Sequence, residues 1–157
     1  MDIDEDFGNW FAGFTDGEGS FTVRVSKRKG TEYVEISPSF SIILRKDDTA
    51  ILQEIRSKLG IPARLKFYGV MINKQGVRSN PRVMLEIRRR EQCLRLVEIF
   101  DRFPLRAKKR RDFAIWRELL LTWKATPRGN KWHGFSDRTR ILELVKQLRD
   151  GRKYRGD

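Results

Sequence analysis

Hydrophobic and polar residues alternate along two neighbouring segments near the start of the chain. The segments are SFTVRVS, where Phe21, Val23 and Val25 are the apolar positions, and YVEISPSFSII. A period of two is typical of a strand with one buried face. The intervening KRKG contains Gly30 and predicts a turn, and Pro38 predicts an edge position or a bulge. These segments therefore predict an antiparallel strand pair.

The same alternation recurs in ARLKFYGVMI and PRVMLEIR, which predict a second strand pair around a loop from Asn73 to Asn80. Met84 is predicted to face away from the core with its charged neighbours. The inner face of this pair is predicted to carry Leu65, Phe67, Val83, Leu85 and Ile87.

Apolar residues three or four positions apart predict helices in five further segments. The first runs from about Asp6 to Asp16, with acidic residues that suit a helix start and with Gly17 and Gly19 expected to end it. The others contain TAILQEIRSKL, REQCLRLVEIF, RRDFAIWRELLL and TRILELVKQL. This order predicts a single α+β domain over residues 1–157. Helices cover one face of a four-stranded antiparallel sheet, and further helices follow at the C-terminus.

Charge adds a function class to this architecture. Lys and Arg number 34 against 21 Asp and Glu, which gives a formal net charge of +13 and a pI near 10.4. Such an excess favours a nucleic-acid partner, with a generic basic surface as the alternative. No apolar run approaches the ~20 residues of a membrane span, so no membrane partner is expected.

The cysteine content and the first residues bear on location. Cys93 is the only cysteine, which predicts a buried thiol and neither a disulfide framework nor a zinc cluster. The acidic start MDIDEDF is not typical of a signal or transit peptide. An intracellular, cytoplasmic location is the expectation, with an organelle left open. The single histidine, His133, is assigned no role.

The predicted outer face of the sheet is rich in arginine and small hydroxyls. It carries Ser20, Thr22, Arg24, Ser26, Arg28, Glu35, Ser37, Ser39, Ser41, Arg64, Lys66, Tyr68 and Arg82. An antiparallel sheet can leave one face in water, and this composition suits reading base edges, since Arg pairs with guanine and Ser or Thr adapts to several bases. A plain solvated face is the alternative. Because several strands share the composition, the pattern favours contact with double-stranded DNA.

The segment NWFAGFTDGEGSF places two carboxylates in a glycine-rich corner after an apolar helix. Asp16 and Glu18 fall at the negative end of the helix dipole. No Lys or Arg between Asn9 and Arg24 neutralises them. A divalent cation would do so, since Mg²⁺ prefers oxygen ligands and the Gly17 carbonyl could contribute one. Two solvated acids after a helix end are the alternative interpretation.

Small residues on the same helix indicate how a second copy could complete such a site. Ala12 and Gly13 form a shallow face on which two helices could pack backbone to backbone. Two Glu18 side chains would then lie side by side. That arrangement resembles a two-metal phosphodiester site, which stabilises the attacking and leaving oxygens.

The nine residues FAGFTDGEG resemble the signature of the LAGLIDADG homing endonucleases, and the predicted element order is similar to the αββαββα core of that family. The resemblance implies a dimer interface that includes Phe11, Ala12, Gly13 and Asp16. It implies that Glu18 and the Gly17 carbonyl bind Mg²⁺, with Mn²⁺ or Ca²⁺ as substitutes. It also implies that the sheets form a saddle over the DNA major groove.

The same family places a lysine near the active site, just before the fourth helix. PLRAKKRRDF resembles that region, and the resemblance implies Lys108 as the catalytic lysine. The neighbouring cations crowd a helix N-terminus, where positive charge is disfavoured and phosphate is favoured. DNA contacts are therefore predicted for Lys109 and Arg110, with ordinary surface charge as the alternative.

The end of the second strand is less clear. The family often has a polar residue there, and this chain has Leu44, followed by Arg45 and Lys46. Which of these side chains reaches the scissile phosphate stays open.

A single motif is present, because GFSDRTR lacks the glycines and the second acid. The resemblance therefore implies a homodimeric, site-specific endonuclease of the intron or intein type that cuts a nearly palindromic DNA site by Mg²⁺-dependent hydrolysis. Two alternatives remain. One is an RNA maturase that helps an intron RNA to splice, and the other is a non-catalytic DNA-binding regulator, against which the intact Asp16 and Glu18 argue.

Overall fold

The elements of the computed structural model confirm the α+β architecture. It describes residues 2–27, 29–30, 34–125 and 135–151, so Arg28 and His133 lie outside the described residues. In chain order the elements are α1 (Glu5–Glu18), β1 (Gly19–Lys27), β2 (Val34–Arg45), a 3₁₀ turn (Lys46–Asp48), α2 (Thr49–Leu59), β3 (Arg64–Tyr68), β4 (Met71–Ile72), β5 (Arg78–Ser79), β6 (Arg82–Ile87), α3 (Arg90–Arg102), α4 (Lys109–Ala125) and α5 (Phe135–Asp150). Within these ranges no helix has both the length and the apolar character that crossing a bilayer requires.

Four strands form the main sheet in the order β1–β2–β6–β3, and each neighbouring pair is antiparallel. The register places Phe21 opposite Phe40, and Phe40 opposite Ile87. Because side chains alternate across a strand, this register collects the apolar positions on one face. Pro38 pairs with Val23 of β1, whereas the β2–β6 pairing begins at Phe40. The strand therefore has an open side at Pro38, which confirms the predicted edge character at that point.

The core lies between this face and the helices, which pack over β1, β2 and β6. Its centre is aromatic: the Phe21 ring lies 5.2 Å from the rings of Phe40 and Trp116. Phe11 of α1 stacks on Phe100 of α3 at 5.3 Å. Such pairs contribute beyond their buried area. Trp116 donates its indole N–H to the carbonyl oxygen of Thr22 at 3.2 Å, so its polar atom is satisfied.

The helix ends follow from identifiable residues. Asp4 caps α1, because its Oδ1 accepts from the backbone N–H of Phe7 at 2.8 Å. Gly60 ends α2 in the left-handed region, with φ of 62°. Cys93 is buried in α3 as predicted, and burial raises the pKa of its thiol to about 12.

The second strand pair differs from its prediction. β3 ends at Tyr68. Met71–Ile72, predicted to continue that strand, pair instead with Arg78–Ser79 of the expected loop and form a separate two-stranded ribbon. Phe67 lies opposite the buried Val83, on the inner face, yet 57% of it is exposed. The reason is that β3 is the outer strand of the sheet, beyond the reach of the covering helices.

Candidate functional site

The junction of α1 and β1 is the centre of the candidate site. α1 runs two residues beyond its predicted end, through Gly17, and Glu18 is its last residue. Gly19 is extended, with φ of −73°, and begins β1 without a loop. A Cβ at Gly19 would lie 2.5 Å from Cγ2 and 2.8 Å from the carbonyl oxygen of Thr15. Only glycine therefore allows the strand to leave the helix so closely.

Glu18 is exposed and lines a cavity of about 480 Å³ at the end of the sheet. The other lining residues are Ile43, Leu44, Arg45, Asp48, Asn80 and Arg82. Within the described part of the chain, Glu18 forms no hydrogen bond or ion pair, so its carboxylate is available to a ligand. The same ranges contain no cluster of three Asp, Glu, His or Cys side chains that could hold a metal ion by themselves.

The cavity also includes residues from the end of the second strand. Leu44 and Arg45 both line it, whereas Lys46 lines a neighbouring cavity of about 430 Å³. Arg82, the first residue of β6, lines the cavity because the register places it directly opposite Arg45. Asn80, two residues before β6, lines it as well. Sequence reasoning missed Asn80, which the alternation pattern could not reveal because it precedes the strand.

Asp16 has a different role from Glu18, although only one residue separates them. Its Oδ2 accepts two backbone hydrogen bonds, from Arg106 at 2.8 Å and from Ala107 at 3.1 Å. These donors precede α4, so the carboxylate fastens the start of that helix to the end of α1. For Asp16, predicted at a dimer interface, the structure shows bonds within its own chain: Oδ2 accepts both of these hydrogen bonds, and Oδ1 is buried.

The structure separates the two lysines at the start of α4. Lys108 is exposed, whereas Lys109 is half-buried and donates its Nζ to the carbonyl oxygen of Gly19. Lys109 stands four and seven residues before the buried Phe113 and Trp116, and this helical spacing could have identified it as the inward lysine. Arg110, predicted with them, is exposed.

The face of α1 available to a second chain also differs from the prediction. Phe11 is fully buried and Ala12 nearly so, because both pack into their own core. Phe11, predicted at the interface, therefore has no surface of its own exposed in the single chain. Gly13 and Gly17 are exposed, and no atom lies within 4 Å of a Cβ built at either position.

Aromatic side chains flank these glycines on the same helical face. Trp10 is 41% exposed, and its ring stacks on that of Phe14 at 5.0 Å. Positions 10, 13, 14 and 17 follow the three-and-four spacing of one helix face. The open surface is therefore an apolar stripe with two glycines in it.

The outer face of the sheet collects the residues predicted there. The register pairs Ser20 with Ser41, Thr22 with Ser39, Arg24 with Ser37, Ser26 with Glu35, Arg64 with Glu86, Lys66 with Met84, and Tyr68 with Arg82. Since these partners alternate with the core positions, all lie on the face opposite the core.

Three features of this face were not predicted from the sequence. Glu86 forms an ion pair with Lys66. Its place on the outer face could have been predicted, because it lies two residues after Met84 on the same strand. Met84 is on the outer face as predicted, but only 9% of it is exposed. The Thr22 and Ser39 hydroxyls share a hydrogen bond of 2.6 Å.

A second cavity of about 290 Å³ opens on this outer face. It is lined by Thr22, Val23, Arg24, Ser37, Ser39, Glu86, Arg88 and Arg149. Three guanidinium groups against one carboxylate make it a positive surface. Arg149 comes from α5, so the C-terminal helix contributes to the polar face, which the sequence pattern did not predict.

Comparison with known proteins gives this geometry a context. A sequence model of the LAGLIDADG endonuclease family matches residues 11–120. A probable intron-encoded endonuclease of Schizosaccharomyces pombe, Cox1-I1b, is 31% identical over 115 residues, which are 73% of this chain and 27% of that protein. The chain thus spans about a quarter of the length of the curated relatives it matches.

Two solved structures are similar over most of the chain. The homing endonuclease I-TnaI has a TM-score of 0.67 and 27% identity, over 96% of this chain and 97% of that one. I-SmaMI, bound to its uncleaved DNA target in the presence of calcium ions, has a TM-score of 0.73 and 21% identity, over 94% of this chain and 46% of that one. The second likeness concerns the fold alone.

Proposed function

The chain belongs to the LAGLIDADG endonuclease family, and we propose that it is a homodimeric, site-specific endonuclease that cuts both strands of a DNA duplex with the help of Mg²⁺. One observation carries this proposal. Glu18, exposed and without a partner among the described residues, lines a cavity at the end of a sheet face rich in Arg and hydroxyl side chains. A carboxylate so placed beside a DNA-binding face suits hydrolysis of the backbone that the face would hold.

The donors at the junction fit a hard divalent cation. Glu18 offers a free carboxylate at the negative end of a helix, and the Gly17 carbonyl lies in the last turn of α1, where carbonyl oxygens have no partner within the helix. Proteins of this family use divalent metals, and the calcium reported with I-SmaMI agrees with an oxygen-rich site. When bound, Mg²⁺ would supply a Lewis acid and lower the pKa of a coordinated water. Phosphate oxygens and a second copy of the chain would complete its ligands.

The chain's own residues orient this site. Asp16 fixes the segment before α4, and Lys109 holds the Gly19 carbonyl at the head of β1. Lys109 is therefore a positioning residue. Lys108, exposed beside it, is proposed to stabilise the charge that develops on the phosphate.

Specific binding would use the outer face of the sheet. Arg24 and the paired Ser37, on the outer face, would meet base edges in the major groove, while the surrounding Lys and Arg would contact phosphates. The net charge of +13 predicts affinity that falls steeply with salt. The DNA bound to I-SmaMI, which has the same fold, supports a DNA partner.

A homodimer is proposed from the α1 face. The chain matches 97% of I-TnaI and 46% of I-SmaMI. The Gly13–Gly17 stripe would allow two α1 helices to approach closely. Gly13→Leu should leave the monomer folded, since nothing lies within 4 Å of its Cβ, but should dissociate the dimer in sedimentation velocity. Ala50→Leu, on the exposed surface of α2, is the matched control. A Gly13→Leu protein that sediments as a dimer would refute this interface.

The decisive experiment incubates the protein and Mg²⁺ with a randomised duplex library and sequences the cut ends. The proposal expects one family of nearly palindromic sites, cut on both strands. Binding without cutting would support the DNA-binding regulator. Preference for intron RNA over duplex in a gel-shift comparison, again without cut ends, would support the maturase.

A further inference from the structure

Two arginines face each other beside Glu18. Arg45 at the end of β2 and Arg82 at the start of β6 are direct partners in the antiparallel register. Both are exposed, and both line the cavity of about 480 Å³ that contains Glu18. Like charges directly opposite on neighbouring strands destabilise a sheet. Asp47 forms an ion pair with Arg45 and offsets part of this repulsion, and an anion between the two guanidinium groups would offset the rest.

Neighbouring side chains hold each arginine without using all its donors. Arg45 donates from Nη2 to Asp47 Oδ2 at 2.9 Å. The guanidinium carbon of Arg82 lies 5.9 Å from the centre of the Tyr68 ring, which gives it a cation–π contact. A guanidinium has five N–H donors, so several remain for a ligand. Planar, preoriented donors are suited to the oxygens of a phosphate.

Carboxylates also line this cavity. Asp48 stands at the N-terminus of α2, but its side chain makes no capping hydrogen bond there. The lining thus combines the carboxylates of Glu18 and Asp48 with the N–H donors of Arg45, Arg82 and Asn80. A ligand with both positive and negative parts suits this mixed lining, as a phosphodiester with an accompanying cation does.

We propose that Arg45 and Arg82 form an oxyanion site that binds the non-bridging oxygens of the phosphodiester next to Glu18. This inference rests on the proposed endonuclease function and adds the residues that hold the reacting phosphate. In hydrolysis the water oxygen bonds to phosphorus and gives up a proton to solvent, while one P–O bond to a sugar breaks and the departing sugar oxygen takes up a proton. The guanidinium pair stabilises the negative charge that the non-bridging oxygens gain during this step. The repulsion within the pair in the free protein is then relieved when the phosphate is bound.

The first test needs no DNA target. Dimethyl phosphate, a minimal phosphodiester anion, is titrated into ¹⁵N-labelled protein while the Arg Nε–Hε resonances are followed by NMR. The resonances of Arg45 and Arg82 should shift together with one dissociation constant, and those of Arg89, which is exposed but outside the cavity, should not. Equal shifts at all three arginines, or none at the pair, would overturn the proposal even if the protein cuts DNA.

The second test uses the duplex recovered from the randomised library. Arg82→Gln should lower the single-turnover cleavage rate about 100-fold, the effect of removing one oxyanion donor. Its affinity for the duplex in EDTA should fall about threefold or less, since one phosphate contact is a small part of the total. Arg82→Lys, which keeps the charge but loses the planar fork, should recover part of the rate. Arg89→Gln is the matched control and should cut like the wild type.

The outcomes separate the possible roles. Unchanged cleavage by Arg82→Gln, or equal losses of binding and cleavage, would refute an oxyanion role. Because the repulsion is removed, the thermal midpoint of Arg82→Gln without anion should rise; if it falls sharply, Arg45→Gln replaces it in the same measurements. A wild-type protein that cuts no library member would count against the proposed function, and the dimethyl phosphate titration would still decide whether the arginine pair binds the anion.

Discussion

Replacing the carboxylate by an amide at Asp16 and at Glu18 is the same chemical change at two positions, but we expect it to have different effects on stability. Asp16→Asn and Glu18→Gln each replace one oxygen by an amide nitrogen and remove one negative charge. The structure gives Asp16 two backbone donors, at 2.8 and 3.1 Å, and gives Glu18 no partner among the described residues. Asp16→Asn should therefore lower stability, whereas Glu18→Gln should leave it unchanged or raise it slightly by removing a negative charge from a helix C-terminus.

The magnitude for Asp16 follows from its hydrogen bonds. Bonds to a charged group contribute roughly 1.5–3 kcal/mol each, and neutral ones about 0.5–1.5 kcal/mol. Asparagine keeps one oxygen that can accept from the two N–H groups, but it has no negative charge. Its amide nitrogen would take the place of Oδ1, which is buried without a hydrogen-bond partner. Because Arg106 and Ala107 are exposed to water, the expected loss in the free energy of unfolding is only about 1 kcal/mol. For a chain of this length that corresponds to a midpoint lower by about 2–4 °C.

Circular dichroism melts of the wild type and both variants measure the first half of the prediction, and cleavage of the selected duplex measures the second. Glu18→Gln should abolish cutting while DNA binding survives. Asp16→Asn should cut at a reduced rate at temperatures where it is folded. An Asp16→Asn protein as stable as the wild type would refute the tie to α4, and cutting by Glu18→Gln would refute the metal role.

Four further substitutions test other contacts. Thr15→Val should raise the unfolding free energy by about 1 kcal/mol in urea titrations, because the Thr15 hydroxyl is buried without a partner and valine keeps the methyl group beside Gly19. Lys109→Met should lower both stability and cleavage, whereas Lys108→Met should lower only the cleavage rate, by about 100-fold; the reverse assignment would show that the roles are exchanged. Burial raises the pKa of Cys93 from 9.0 to about 12, so the thiol contributes stability below pH 9 that is lost as pH rises toward 12. Cys93→Ala should flatten that alkaline decline, and Ellman's reagent should react with Cys93 at pH 8 only on unfolding.

Strand faces were predictable because the period of two leaves little freedom once one side is apolar. Val23 and Ile36 could be placed inside, and Thr22 and Ser37 outside, from alternation alone. Phe67 shows the limit of this reasoning. Alternation gives its face, but its exposure depends on β3 being the outer strand, and strand order is a long-range property.

The sequence indicated the end of α1 as the candidate site, but it did not indicate how the surroundings of neighbouring side chains there differ. From the sequence around them, Asp16 and Glu18 are two similar acidic residues at the end of one helix. They differ because the partners of Asp16 are backbone groups about ninety residues further along the chain, which no local pattern reveals. Likewise, Lys108 and Lys109 are neighbours in sequence, and only the rotation of α4 on the core decides which one reaches Gly19. The opposition of Arg45 and Arg82 needed the register of two strands that are distant in sequence.

The direct passage from α1 into β1 has a mechanical consequence. Because no linker separates Glu18 from Gly19, a tilt of α1 moves the Glu18 carboxylate and the first residues of β1 together. In the proposed dimer, the gap between the two acids would then be set by how the paired helices cross. Bulkier side chains at Gly13 or Gly17 that still permit pairing should therefore alter the stagger between the two nicks, although neither position contacts a base.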